Sequence, residues 1–258
     1  MCLILFAYRV HPAFELVLAS NRDEFFARPT APADYWAEAP AILAGRDLDK
    51  GGTWMGVTRS GRWAALTNFR EGTTAGAGAR SRGALVADYL RGGLPARDYA
   101  DEAARTARDY HGFNLLVGDG DGVHYVSHEQ GRPAQVAPGL HGLSNHRLDT
   151  PWPKVEAGKQ RLAAALRGSA DAIEDRLLDL LADRTLAQDH LLPSTGIAPD
   201  WEKKLSAAFI RAPGYGTRAS SVLLVGNDGE VRLRERSFGE GGESMEDRTY
   251  RFSLALAA

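Results

Sequence analysis

Apolar positions along this chain fall into short runs broken by glycine, proline and polar clusters, the spacing of strands and short helices. Residues 2–8 and 15–19 are two apolar runs around His11-Pro12 and predict a hairpin that leads into the polar string Ser20-Asn21-Arg22-Asp23-Glu24. A Pro- and Ala-rich stretch with Pro29, Pro32 and Pro40 reads as a loop reaching Ala44. A second hairpin follows: residues 51–57, a turn at Ser60-Gly61, and residues 62–68 ending at Asn68. Residues 70–81 are Gly/Ala/Thr-rich and read as a mobile loop.

Helical periodicity begins at Ser81, a plausible N-cap, with Leu85, Val86, Tyr89 and Leu90 on one face and a stop at Gly92-Gly93. A second helix fits residues 96–110. Strands return at 113–117 and 123–127 around Gly118-Asp119-Gly120-Asp121-Gly122, and helices suit 152–167 and 170–182. The last third carries strands at 220–225, 231–236 and 249–254, with a turn at Asn227-Asp228-Gly229. Strands and helices alternate in blocks and hairpin turns dominate. That order argues an α+β protein of antiparallel sheets with outer helices, one domain over 1–258.

Composition narrows the function classes. The 31 basic and 33 acidic residues give a net charge of −2, which offers no broad basic surface for nucleic acid. No run approaches the length of a transmembrane helix, and the apolar start lacks a basic leader, so the expectation is a cytoplasmic protein. The single cysteine excludes an internal disulfide and any CxxC metal site.

That cysteine is Cys2. Trimming of the initiator methionine, usual before a small residue, leaves a thiol and a free α-amine on one carbon. With pKa values near ~8.5 and ~7.7–8.0, the amine can take the thiol proton. A nucleophile with a built-in base is the arrangement of N-terminal-nucleophile hydrolases, whereas the plainer reading is a small buried hydrophobe. Asn21, Arg22, Asp23 and Glu24 follow the first hairpin, where an arginine beside two carboxylates can hold a substrate carboxylate, orient a nucleophile or form a solvated turn. Asn68 and Asn145 end apolar runs, as uncharged oxyanion donors or as turn residues. Arg218 precedes an apolar strand, as a site charge or a surface ion pair. Gly51-Gly52 offers a left-handed turn or a close backbone approach to ligand, with a plain hairpin turn the simpler reading. His124 and His128, four apart, share a strand face, where polar surface is the simpler reading than metal or haem iron. No HExxH, P-loop or GxGxxG string is present.

Met1-Cys2-Leu3-Ile4, Ser20-Asn21-Arg22-Asp23-Glu24, Gly52-Thr53-Trp54, Thr67-Asn68-Phe69-Arg70, Gly112–Gly118, Leu143-Ser144-Asn145, Thr150–Val155 and Gly216-Thr217-Arg218, in that order, resemble the NRDE family. This family is related to the eukaryotic transport-and-Golgi-organisation protein. The resemblance implies an N-terminal-nucleophile hydrolase fold, a four-layer αββα sandwich, by analogy with the choloylglycine hydrolase and penicillin V acylase group. By that analogy Cys2 matches the nucleophile and Asp23 the carboxylate holding the α-amine. Asn68 and Asn145 match the oxyanion asparagines, and Arg218 the late arginine. The acylase arginine three residues before the aspartate is replaced here by Ser20, with Arg22 adjacent to Asp23. The enzyme expectation is a cysteine amidase cleaving the C–N bond of an acyl-amide, with no cofactor and no metal. The alternative that the resemblance implies is a non-enzymatic carrier of haem or acyl-CoA. Its anionic cargo would be met by Arg22, Arg70 or Arg218 under a 72–79 lid, with membrane-surface or acceptor-protein contact.

Overall fold

The computed structural model describes residues 2–70 and 80–254. In chain order the strands are β1 (Cys2–Tyr8), β2 (Phe14–Phe25), β3 (Thr30–Trp36), β4 (Ala39–Asp47), β5 (Met55–Thr58), β6 (Trp63–Asn68), β7 (Phe113–Gly118), β8 (Val123–Ser127), β9 (Ala134–Gln135), β10 (Gly139–Leu143), β11 (Arg211–Ala212), β12 (Tyr215–Gly226), β13 (Glu230–Phe238) and β14 (Ser244–Ser253). The α-helices are α1 (Arg82–Arg91), α2 (Ala96–Arg105), α3 (Pro153–Ala165), α4 (Ile173–Leu181) and α5 (Pro199–Lys204). By contacts the chain forms two compact units interleaved in sequence. The first is built from residues 1–27, 138–144 and 148–251, the second from 28–137, 145–147 and 252–258.

The first unit is one sheet in the order β10-β1-β2-β12-β13-β14, with β11 on β12. Leu3, Leu5 and Ala7 of β1, Val17 and Ala19 of β2, and Val222 and Leu224 of β12 point to one face. There they pack on Val155 and Leu162 of α3 and Ile173, Leu177 and Leu181 of α4. The alternate residues Ile4, Phe6, Leu16 and Leu18 are equally buried. A strand buried on both faces loses its polar alternation, and this explains the unbroken run Leu3-Ile4-Leu5-Phe6.

The second unit is a sheet whose strands lie in chain order, β3-β4-β5-β6-β7-β8-β9. Ile42, Ala44, Ala64, Leu66, Leu115, Val117 and Val126 form its helix-facing side against Leu85, Val86, Tyr89 and Leu90 of α1 and Ala100 and Ala103 of α2. The start of α1 lies close to the strand side. Thr53 N–H donates to Gly83 O at 3.2 Å, and a Cβ on Gly52 would stand 2.5 Å from the Gly83 carbonyl carbon. Gly51 takes a left-handed turn (φ +71), and the close approach at Gly52 is to the backbone of Gly83, where an approach to ligand was the alternative.

Several expectations are corrected. The stretch read as a loop before Ala44 is the β3–β4 pair. Its prolines are tolerated because β3 is an edge strand, Pro32 sits at a register irregularity, and Pro40 precedes the residues of β4 that pair with β5. The Ser20–Glu24 string lies inside β2, not after it. The helix expected over 96–110 ends at Arg105, with a 3-10 turn after it, and α5 and β11 were not foreseen. Ser81 is at the start of α1, but its side chain makes no cap bond; Ala84 N–H donates to its carbonyl instead. Most of the 70–81 loop, including the 72–79 lid of the carrier reading, lies outside the described residues.

Candidate functional site

In the first unit β1 and β2 pair antiparallel with Cys2 opposite Arg22. The register puts Asp23 one step beyond, on the side from which the backbone nitrogen of Cys2 enters. Asp23 is buried, and its Oδ1 accepts a hydrogen bond from Thr217 Oγ1 at 2.7 Å. Thr217 Oγ1 in turn accepts from Ile210 N–H at 2.9 Å, and Thr217 N–H donates to Ile210 O at 3.0 Å. Burial pushes the Asp23 carboxyl up to about 6; the amino-terminal charge, Lys154, the Thr217 hydroxyl and Arg22 pull the other way. A carboxyl poised there is ionised at neutral pH and neutral in mild acid.

Asn21, two residues earlier on the same face, is fully buried. Its amide nitrogen donates to Leu181 O (2.9 Å) and Ala208 O (2.8 Å), and its Oδ1 accepts from Ser220 Oγ (2.6 Å). Both amide protons hold backbone carbonyls, so Asn21 pins β2 to the end of α4 and to the 205–210 segment. Lys154, near the start of α3, is also buried and donates from Nζ to Leu205 O at 2.9 Å. Arg22 is buried on β2. Glu24 is partly exposed and accepts from the Phe25 N–H.

Arg218 does not project beside Asp23. Its Nη1 donates to Phe25 O (2.9 Å) and Phe26 O (3.3 Å), and its guanidinium lies over the Phe26 ring. Burial and then the nearby Arg22 charge depress its pKa below that of an ordinary arginine.

The second unit gathers the asparagines. Asn68 ends β6, and its carbonyl accepts from Asn145 Nδ2 at 3.0 Å. Asn145 is fully buried. Its carbonyl takes Arg70 N–H at 2.7 Å, and its Oδ1 has a long contact, 3.5 Å, with Arg70 Nη2. Asn114 on β7 organises this group. Its amide donates to Thr67 Oγ1 (3.0 Å) and His146 O (2.9 Å), and its Oδ1 accepts from Tyr125 OH (2.7 Å). One buried amide thus fixes the neighbours of both Asn68 and Asn145. Phe69 lies between the rings of His128 (5.3 Å) and His146 (5.1 Å). His124 and His128 belong to no metal-binding group; none of three or more His, Cys, Asp or Glu occurs among the described residues.

Cys2, Asn21, Arg22, Asp23, Glu24 and Arg218 therefore fall in the first unit, and Asn68, Arg70 and Asn145 in the second. Sequence reasoning passed over Thr217, Ser220, Lys154, Thr67, Asn114 and Tyr125. Four of them lie within strings already singled out, Gly216-Thr217-Arg218, Thr150–Val155, Gly112–Gly118 and Thr67-Asn68-Phe69-Arg70; the signal was present without a role attached.

The family model described as Transport and Golgi organisation 2 matches residues 1–240. The chain belongs to this family. The human Transport and Golgi organization protein 2 homolog is 36% identical over 275 residues, covering 98% of this chain and 99% of the relative. The Drosophila melanogaster Transport and Golgi organization protein 2 is 30% identical, covering 92% of each. Among solved structures, the Caenorhabditis elegans N-acylethanolamine-hydrolyzing acid amidase ortholog matches with a TM-score of 0.51 at 11% identity, over 86% of this chain and 92% of that one. At that identity the likeness shows the fold alone. This member of the Transport and Golgi organisation 2 family has the α+β, two-sheet fold of the N-terminal-nucleophile hydrolases. No helix among its described residues is long and apolar enough to cross a membrane.

Proposed function

We propose that this protein is a cysteine amidase acting on the C–N bond of an acyl-amide. The observation that carries the reading is the buried Asp23 carboxyl, one register step beyond the partner of Cys2 and fixed there by Thr217. Removal of Met1 makes the Cys2 amine the base. The thiol proton passes to that amine as sulfur attacks the acyl carbonyl. The ionised Asp23 holds the protonated amine. The C–N bond then breaks, the amine leaves with the transferred proton, and water hydrolyses the thioester to return the thiol. The acyl-amide class is suggested by the fold neighbour, an amidase that hydrolyses N-acylethanolamines.

The test is intact-mass spectrometry of the purified protein with a panel of acyl-amides. The expected results are a mass lacking methionine, a transient acyl adduct on Cys2, and loss of turnover to background in Cys2→Ala at unchanged melting temperature. Turnover that survives Cys2→Ala, or a wild-type protein that retains Met1 and acylates with nothing, overturns the reading.

A further inference from the structure

Between Asp23 and Asn21 the β2–β12 pairing slips. Thr217 lies opposite Asp23 and Ala219 opposite Arg22, so Arg218 is an extra residue, a β-bulge; Ser220 then faces Asn21. In an unbroken antiparallel pair, residues opposite two positions two apart are themselves two apart, and Thr217 and Ser220 are three apart. Without the bulge, one of the two hydroxyls would fall on the wrong face of the sheet. With it, both land on the helix-facing side, Thr217 Oγ1 at 2.7 Å from Asp23 Oδ1 and Ser220 Oγ at 2.6 Å from Asn21 Oδ1. The side chain of the bulged residue points elsewhere, to the Phe25 and Phe26 carbonyls.

The Thr217 hydroxyl has one proton. The Ile210 N–H, which can only donate, occupies one of the oxygen's two lone pairs, and the hydroxyl proton is donated to Asp23 Oδ1. A donor held there favours the carboxylate over the acid. Tyr215 OH reaches the Asp23 backbone carbonyl from the same strand at 3.3 Å.

We infer that Thr217, aimed by the Arg218 bulge and oriented by Ile210, is a positioning residue that fixes the rotamer of Asp23 and keeps it ionised for the Cys2 amine. This deepens the amidase reading and rests on it for its catalytic meaning. Other charges acting on Asp23 are the amino-terminal charge, Lys154 from α3 and Arg22 on its own strand. The 205–210 segment contributes no titratable side chain.

The experiment is a carbon-13 carboxyl titration of Asp23 in the full chain, for wild type, Thr217→Val, Thr217→Ala and Thr217→Ser, with the pH profile of Cys2 alkylation by iodoacetamide in parallel. Loss of a hydrogen bond to the charged form moves the Asp23 midpoint upward, by about one pH unit, in the valine and alanine variants, while serine keeps the wild-type value. Alanine, which adds no bulk, serves if valine does not fold. A midpoint unmoved in both, or moved as far by serine, overturns the inference. If the midpoint moves as expected and Cys2 alkylation ignores it, Thr217 holds Asp23 as inferred and the amidase reading falls.

Discussion

Each unit contains a buried polar network around the residues singled out in the sequence, and the two differ in kind. That of the first, Asn21, Asp23, Thr217 and Ser220, includes a carboxyl and has a buried lysine acting on it. That of the second, Asn114, Thr67, Tyr125 and the Asn145 amide, is built from neutral amides and hydroxyls, with the Arg70 guanidinium 3.5 Å from the Asn145 Oδ1. Neutral amides and hydroxyls can be satisfied by geometry alone, so these members have one state. The first has two, because burial places the Asp23 proton equilibrium near 6. The first network can change its charge near neutral pH, and the amides and hydroxyls of the second meet their partners as fixed dipoles.

The largest expected effect comes from making the second network resemble the first. Asn114→Asp replaces an amide donating to Thr67 and His146 with a carboxyl among acceptors. The variant loses about 4 kcal/mol at neutral pH and recovers part of it in acid, as burial holds the new carboxyl neutral. Urea denaturation at pH 5 and pH 8 measures both; equal losses at the two pH values would contradict the picture.

Making the first network neutral has the next largest effect. Asp23 titrates near 6 in the folded chain and near 3.8 unfolded. Between those values the folded state keeps a proton that the unfolded state has released. Its contribution therefore falls as pH rises from about 4 through 6, by about 3 kcal/mol, and is flat above. Asp23→Asn removes that fall. It is expected to be more stable than wild type at pH 7.5 by up to about 3 kcal/mol, to lose the advantage below pH 4, and to turn over no substrate. Parallel stability curves for the two proteins over pH 4–8 would refute this.

The smallest effect isolates neutrality itself. Thr67→Val removes one acceptor of the Asn114 amide at nearly constant volume and costs about 1–2 kcal/mol. The cost should be the same at pH 5 and pH 8; a slope with pH in the denaturation midpoints would place a titrating group in the second unit's network.

The parts of this molecule legible in its sequence are those decided locally. The β7–β8 hairpin announces itself in an apolar run, a Gly-Asp-rich turn and a second run, and Ser127 ends β8 as expected. Helix α1 likewise starts and stops at its own signals. The β3–β4 pair was hidden because an edge strand tolerates the prolines and polar residues by which loops are recognised. The Ser20–Glu24 string looked like a turn because five polar residues in a row do not resemble the interior of a strand. They are interior because their partners, Thr217, Ser220 and the Leu181 and Ala208 carbonyls, come from 160 or more positions away. Arg218 drew attention by its charge, and the functional geometry belongs to its uncharged neighbour. A bulge is a property of two strands together, so one strand alone does not reveal it.

That separation also sets the order of events as the chain is made. The second unit's strands follow one another from β3 to β9, and each pairs with the one just synthesised. The first unit's β2 emerges almost at once but has β1 on one side only, because its other neighbour, β12, lies 194 positions later at the Asp23–Thr217 bond. Until β12 has been made, β2 presents an unpaired edge. The Asp23 carboxyl acquires its buried, Thr217-bonded character only once β12 has paired with β2, so the chemistry of this strand waits on a segment far downstream.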